Sequence, residues 1–405
     1  MKAEKKLRAT EVSSPDYEVE FNRARATFRA FLDENGNETS AARRVVVLHD
    51  SDADGVAAGV VLQRSLERAG YGNAVRVAPD RERNAWTEPN RARVRACAPE
   101  LLFVLDMGSS DEPIIERVPT CFIDHHRPEG VPPDGVLISG YGWRPAVPNT
   151  SLLVYEVCRE IAEVDDLEWV ACVGTISDLG ERAPFDLVAR AKKRYTAKWL
   201  KEATTLVNAA RRASHYDPEA AARALLAHDN PRALVESNSE DVRALRAARE
   251  EVKAALDEGK KAAPVFSNRV ALLRVNTLCQ IHPLIAQIWR TRLPAYIVIA
   301  ANEGYLPGRV NFSARSSEGT SVLEFLRSIE LEGEGGSYGH GHDQASGGSL
   351  PVARWNELLA KLGFPETIRA VTGESAHPRS TAGTNISFTR FARRRKKAFL
   401  RRADS

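Results

Sequence analysis

From Val45 onward the chain alternates short apolar runs with amphipathic stretches. VVVLHD, ending at Asp50, reads as a buried strand. Gly55 opens a helix whose apolar face is Val56, Val60, Leu62 and Leu66, with Gly70 as its stop. AVRVAP reads as a second strand, LLFVLD as a third and TCFID as a fourth. Continuous apolar strands separated by helices predict a parallel sheet covered on both faces. In such sheets ligands collect at the carboxyl ends of the strands. Asp50, Asp106 and Asp124 all fall there.

From Asn149 to about Lys261 the pattern is helical. SLLVYEVCREIA and LEWVACVGTIS are apolar enough to pack on the sheet, whereas the Ala-, Arg- and Glu-rich stretch after Ala189 suits a partly exposed connector. A second alternation begins at Ala263, with RVALLRV, AYIVIAANE and GRVNFSARS as strands and HPLIAQIWRTR and SVLEFLRSI as helices. The expected fold is α/β: a parallel-sheet domain, a helical connector and a second, smaller α/β domain. The expected division is an N-terminal extension over residues 1–42, the first domain over 43–190, the connector over 191–262, the second domain over 263–365 and a basic flexible tail over 366–405. The extension contains one amphipathic stretch, around Phe21 to Leu32.

Composition narrows the function classes. A chain of 405 residues with 43% hydrophobic content can fill two cores. No apolar run reaches the length of about 18 residues that a membrane span needs, so no membrane contact is expected. MKAEKKLRATEVSSPDYE lacks the apolar stretch of a secretory signal. The five cysteines are scattered and contain no CxxC pair, which excludes a zinc ribbon and a disulfide framework and makes the cytoplasm the expected compartment. The net charge of +3 is carried by the tail: Arg390 to Arg402 holds eight basic residues and no acid, and without them the chain is at −5. Such a run is either a solvated end or a contact to nucleic-acid phosphates. Phe388, Phe391, Phe399 and Leu400 punctuate it.

The strand ends carry the chemistry. Asp50, Asp52 and Asp54 are spaced by two, which in an extended segment places them on one face about 6.5 to 7 Å apart. Three such carboxylates repel one another unless cations lie among them. An Asp-rich turn capping the following helix is the plainer reading of DSDADG. A calcium loop is excluded, because no Glu stands where its twelfth residue would fall. Asp106 ends a strand, as a capping Asp also does. Asp124 is followed by His125 and His126, and adjacent histidines after a buried strand have little structural use. Asp178 ends the apolar segment VGTIS. Carboxylates and imidazoles from separate strand ends suit two hard divalent metals.

Taken in order, DADG at Asp52 to Gly55, the Asp106 strand end, DHH at Asp124 to His126 and GTISD ending at Asp178 resemble the DHH phosphoesterase superfamily. The resemblance implies two Mn²⁺ or Mg²⁺ ions. Asp52 and Asp54 would bind one each, Asp106 would bridge them, and His125 and Asp178 would complete the ligands of the second metal. His126 would face the substrate phosphate, and Asp124 would orient the histidines. Many members place a histidine two or four residues before the first Asp of the DxD pair, where this chain has Asp50 and Leu48. Asp50 is then a substitute ligand, as in a DxDxD pattern, and His49 a structural or supporting residue.

FSARSSEG (Phe312 to Gly319) and GHGHDQASGG (Gly339 to Gly348) resemble the DHH-associated domain, where a serine–arginine pair and a glycine–histidine loop grip the substrate. Glycine runs of this kind let backbone amides approach phosphate. Arg315, Ser316, Gly341 and His342 are the matching positions, with His340 at a place usually held by glycine. LVNAARRASHYD resembles the NAAGR-like run of RecJ-type exonucleases: Asn208 and Arg212 match, and Arg211 replaces the glycine. Together these imply a RecJ-like exonuclease on single-stranded DNA or RNA, with His126, Asp106 and Arg315 at the reacting phosphate. No further barrel domain is read after the second domain, which makes short oligonucleotides an alternative substrate, as for an oligoribonuclease (nanoRNase), a phosphoadenosine-phosphate phosphatase or a cyclic-dinucleotide phosphodiesterase. A silent nucleic-acid-binding scaffold is a third reading, disfavoured because the carboxylates and both histidines are present.

Overall fold

The computed structural model describes residues 15–370, apart from 36–41, 73, 144, 145, 148, 179, 181–184, 318 and 332–337; of His340 and His342 it describes the backbone. The basic run of the tail lies outside the described residues, as do the side chains expected at His340 and His342.

In chain order the first half runs α1 (Pro15–Asn35), β1 (Val45–His49), α2 (Ala53–Arg68), β2 (Ala74–Val77), α3 (Glu88–Ala96), β3 (Leu101–Leu105), β4 (Thr120–Asp124), β5 (Gly135–Ser139), α4 (Thr150–Cys158) and α5 (Glu168–Ser177). The five strands form one parallel sheet in the order β2-β1-β3-β4-β5. β1, β3 and β4 are buried along their whole length, as their unbroken apolar runs require. Between β1 and β3 the strand order reverses, which opens a crevice at their carboxyl ends. The helix read as opening at Gly55 begins two residues earlier, at Ala53, because the Asp52 side chain caps it by accepting from the amides of Asp54 and Gly55. The capping reading of DSDADG is thus seen at Asp52.

α1 is part of the main core. Phe28 is fully buried, and its ring centroid lies 6.0 Å from that of Phe103 on β3.

Helices continue through α6 (Leu187–Tyr195), α7 (Ala197–Arg212), α8 (Pro218–Leu226), α9 (Pro231–Glu236) and α10 (Glu240–Gly259). One face each of α7 and α8 joins the core of the parallel sheet. The second sheet follows, with β6 (Val265–Ser267), β7 (Val270–Val275), α11 (His282–Arg292), β8 (Ile297–Asn302), β9 (Arg309–Arg315), α12 (Val322–Arg327), β10 (Tyr338–His342), β11 (Ala345–Pro351) and α13 (Val352–Lys361). Its order is β10-β11-β9-β8-β7-β6, and only β7 and β8 pair in parallel. GHGHDQASGG, read as a glycine loop, is instead the β10–β11 hairpin, in which His342 pairs with Ala345. Its glycines serve the strands: a Cβ on Gly347 would lie 2.4 Å from the Phe312 carbonyl oxygen of β9, and Gly341 has φ +119°.

The two sheets meet through the end of α7. The Gln280 amide donates to the Arg212 carbonyl at 2.8 Å. Arg81 donates to the Ala213 carbonyl at 3.1 Å and to that of Ser214, and its guanidinium stacks over Tyr216 and over Tyr305 of the second sheet's β8–β9 connection.

Candidate metal centre

Each carboxylate reaches the crevice by a different local device. After β1 the chain turns sharply into α2, and Gly55 is required there because a Cβ would stand 2.5 Å from the Asp50 carbonyl oxygen. Asp54, fully buried, is received by the N-terminus of α4: its Oδ1 accepts from Asn149 Nδ2 at 2.6 Å and from the Ser151 amide at 2.8 Å, and its Oδ2 accepts from the Thr150 amide at 2.7 Å. A helix start is a natural seat for a carboxylate. Asp106 leaves β3 with φ +63°, a left-handed backbone uncommon outside glycine, and its Oδ1 accepts from Thr150 Oγ1 at 2.9 Å. Asp178 closes α5 and faces His125, whose Nε2 lies 3.5 Å from Asp178 Oδ2 and 3.4 Å from Asp106 Oδ1.

Asp124 works behind the histidines. It accepts from the Gly108 amide at 2.7 Å and the His126 amide at 2.6 Å, and its Oδ1 lies 2.8 Å from His126 Nδ1. Burial alone would lower the basicity of His126, but the Asp124 carboxylate outweighs it and the imidazole is pushed up to about 9. The Asp124 carboxylate thus favours the charged form of the His126 imidazole.

His49 points the other way. Its ring packs against Gly59 of α2, where a Cβ would meet it at 2.5 Å, and its Nδ1 lies 2.7 Å from the Asp50 carbonyl. Burial, then the Arg76 charge, lowers it to about 4, so it is neutral.

Three sets of ligand atoms lie within 4.8 Å of one another: Asp50, Asp52 and Asp106; Asp54, His125 and Asp178; and Asp106, His125 and His126. Electrostatically the site is divided. Burial, then the charge of Asp52, raises Asp54 to about 6. Burial, then Asp54, pushes Asp106 well above the usual carboxylate range, and Asp178 rises for the same reasons. Burial also works to raise Asp52, but the guanidinium groups of Arg211 and Arg83 outweigh it and hold this carboxyl well below its ordinary range. Buried carboxylates that repel one another are what a divalent ion relieves, so the residues present fit the metal that the strand-end motifs imply.

Asn208 is tied on both sides of its amide: Oδ1 accepts from the Ala53 amide at 3.2 Å, and Nδ2 donates to Ser177 Oγ at 2.8 Å. It helps fix the start of α2. Arg212 and Arg315 are lowered to about 9 and about 10, chiefly by burial and then by Arg211 and Arg290 respectively. Ser316, nearly fully buried, donates to the Thr320 carbonyl at 2.5 Å.

Sequence reasoning missed Arg83, Arg211 as a site residue, His282 and the Asn149–Ser151 cradle. Arg211 lies 3.4 Å from Asp52 Oδ2, with its Nε and Nη1 buried and without a hydrogen-bond partner. The cradle had a signal, Asn-Thr-Ser ahead of an apolar helix. Arg83 had none.

Residues 44–175 match the model of the DHH family, N-terminal domain. No curated protein matches the chain in sequence. Among solved structures, RecJ from Thermus thermophilus in complex with Mn²⁺ is 20% identical with a TM-score of 0.61, over 85% of this chain and 55% of that one. This chain thus spans about half the length of that relative. An exonuclease RecJ bound to manganese is 20% identical with a TM-score of 0.54, over 87% of this chain and 97% of that one. The DHH domain of a member of a family of ribosomal proteins is 15% identical with a TM-score of 0.60, over 87% of this chain and 92% of that one. The likeness is one of fold.

Proposed function

Because residues 44–175 match the model of the DHH family, N-terminal domain, we propose that the chain is a divalent-metal-dependent phosphodiester hydrolase, an exonuclease on single-stranded nucleic acid. The observation that carries this reading is the mutually repelling set Asp54, Asp106 and Asp178 around His125, which opens toward a rim of guanidinium groups. Asp54, Asp106, His125 and Asp178 would hold one Mn²⁺ or Mg²⁺ ion, and Asp50, Asp52 and Asp106 a second. Ions held there supply an activated water and positive charge for attack at phosphorus. Protonated His126, fixed by Asp124, neutralises charge growing on the phosphoryl oxygens, and Arg212 and Arg315 hold the polyanion across the crevice. In this reading residues 43–190 carry the chemistry and 263–365 the grip on the strand. Gly341 and His342 on the β10–β11 hairpin and Ser316 beside Arg315 belong to that grip.

The test is digestion of end-labelled single strands of about 20 nucleotides, and of dinucleotides, by the full chain with Mn²⁺. Turnover that vanishes on chelation and in Asp106→Ala, with the melting transition retained, is the expected result. Undiminished turnover by Asp106→Ala sinks the assignment. Cleavage of dinucleotides alone moves it to the short-substrate alternative.

A further inference from the structure

The two halves of the centre differ in what neutralises them. Asp50 is 4% exposed, and both of its carboxylate oxygens are engaged by one arginine: Arg83 Nε donates to Oδ1 at 2.8 Å and Arg83 Nη2 donates to Oδ2. The same Oδ1 accepts the Ser51 amide at 2.7 Å. Arg83 Nη2 also lies 3.5 Å from Asp52 Oδ2, which Arg211 approaches at 3.4 Å from the other side. Among the described residues, no lysine or arginine lies within 4.0 Å of the carboxylates of Asp54, Asp106 or Asp178.

Arg83 is held in place by its loop. Its backbone adopts φ +57°, and its amide donates to the Asp80 carbonyl at 3.1 Å. The fully buried Asn90 on α3 braces that loop: its Oδ1 accepts the Asp80 amide at 2.8 Å, and its Nδ2 donates to the Asn84 carbonyl at 2.8 Å. The side-by-side fork of Arg83 on Asp50 is the strong form of the charge-assisted hydrogen bond. Asp50, Asp52 and Asp106 are one of the three ligand sets, so the guanidinium stands within a group of oxygens that also suits a metal.

We propose that Arg83 is the built-in cation of the Asp50–Asp52 half, which a divalent ion must displace, so that this half takes metal more weakly than the Asp54–His125–Asp178 half. The inference rests on the reading of the centre as a metal site. An ion bound by Asp50 would take the two oxygens that Arg83 already holds, and releasing Arg83 breaks a buried fork. The difference between the halves is about tenfold or more in affinity, the worth of one hydrogen bond to a charged group.

Mn²⁺ binding to the chelator-stripped full chain, followed by calorimetry and by the loss of the free-ion electron paramagnetic resonance signal, tests this without reference to turnover. Wild type shows a tight and a weak step. Arg83→Gln tightens the weak step about tenfold and leaves the tight one, Arg83→Lys falls between, and Asp178→Asn weakens the tight step alone. A thermal melt of each variant checks folding, and Arg83→Lys keeps the test open if Arg83→Gln does not fold. Two equal steps in wild type, or a weak step unmoved in both Arg83 variants, overturns the proposal while leaving the metal centre standing. No binding in wild type overturns both.

Discussion

His282 heads α11 with 5% exposure, its Nδ1 buried without a hydrogen-bond partner. Burial, then the charges of Arg212 and Arg211, lowers it to about 3, and Arg315 and Arg83 add to the effect. A histidine depressed in the folded state binds its proton only after unfolding, so the protein loses stability as pH falls from about 6.5 toward 3. Thermal melts between pH 6.5 and 4.5 should fall more steeply for wild type than for His282→Gln, by up to about 1.4 kcal/mol per pH unit. Parallel slopes would remove His282 from the cationic rim. At this scale the carboxylates and His125 were legible, because each ends a run whose pattern places it. Arg83 and Arg211 were not, because an arginine in a loop and one in a helix look alike whether they face solvent or a buried aspartate.

The elements were legible wherever an apolar run had one period. β1, β3 and β4 read as buried strands, and α2, α4 and α5 as their covering helices. The β10–β11 hairpin escaped because glycine-rich strands lack the apolar alternation that marks a strand, and β5 escaped because its apolar run is only three residues, Val136 to Ile138. α2 lies so close to β1 that Gly59 and His49 form one fitted pair. Gly59→Ala should destabilise the protein by about 1–3 kcal/mol through overpacking. Adding His49→Ala should return most of that loss, giving a coupling in a double-mutant cycle of denaturant melts. Additive losses would show that the helix shifts away from the strand instead.

Taken whole, the molecule keeps buried carboxylates at its centre that repel one another, and ions that bind only the folded state stabilise it by mass action. At a free Mn²⁺ concentration about one hundred times Kd the gain is about 2.7 kcal/mol per site, read as a raised melting temperature that chelator reverses. Asp106→Asn should melt at nearly the same temperature with and without Mn²⁺; an undiminished rise in that variant would place the ion elsewhere. Among the described residues no helix is long and apolar enough to cross a membrane. The sequence by itself determined the parallel sheet, the order of its acidic strand ends and the helical passage to a second sheet, since these depend on patterns within a few residues. Only the tertiary structure decided which carboxylates are neutralised from within. Asp50 meets Arg83 from 33 positions away, Asp54 meets the start of α4 from about 95, and Asp52 meets Arg211 at the end of α7. No local pattern encodes such pairs, because they form when separate elements pack together and exclude the water that would otherwise have screened them.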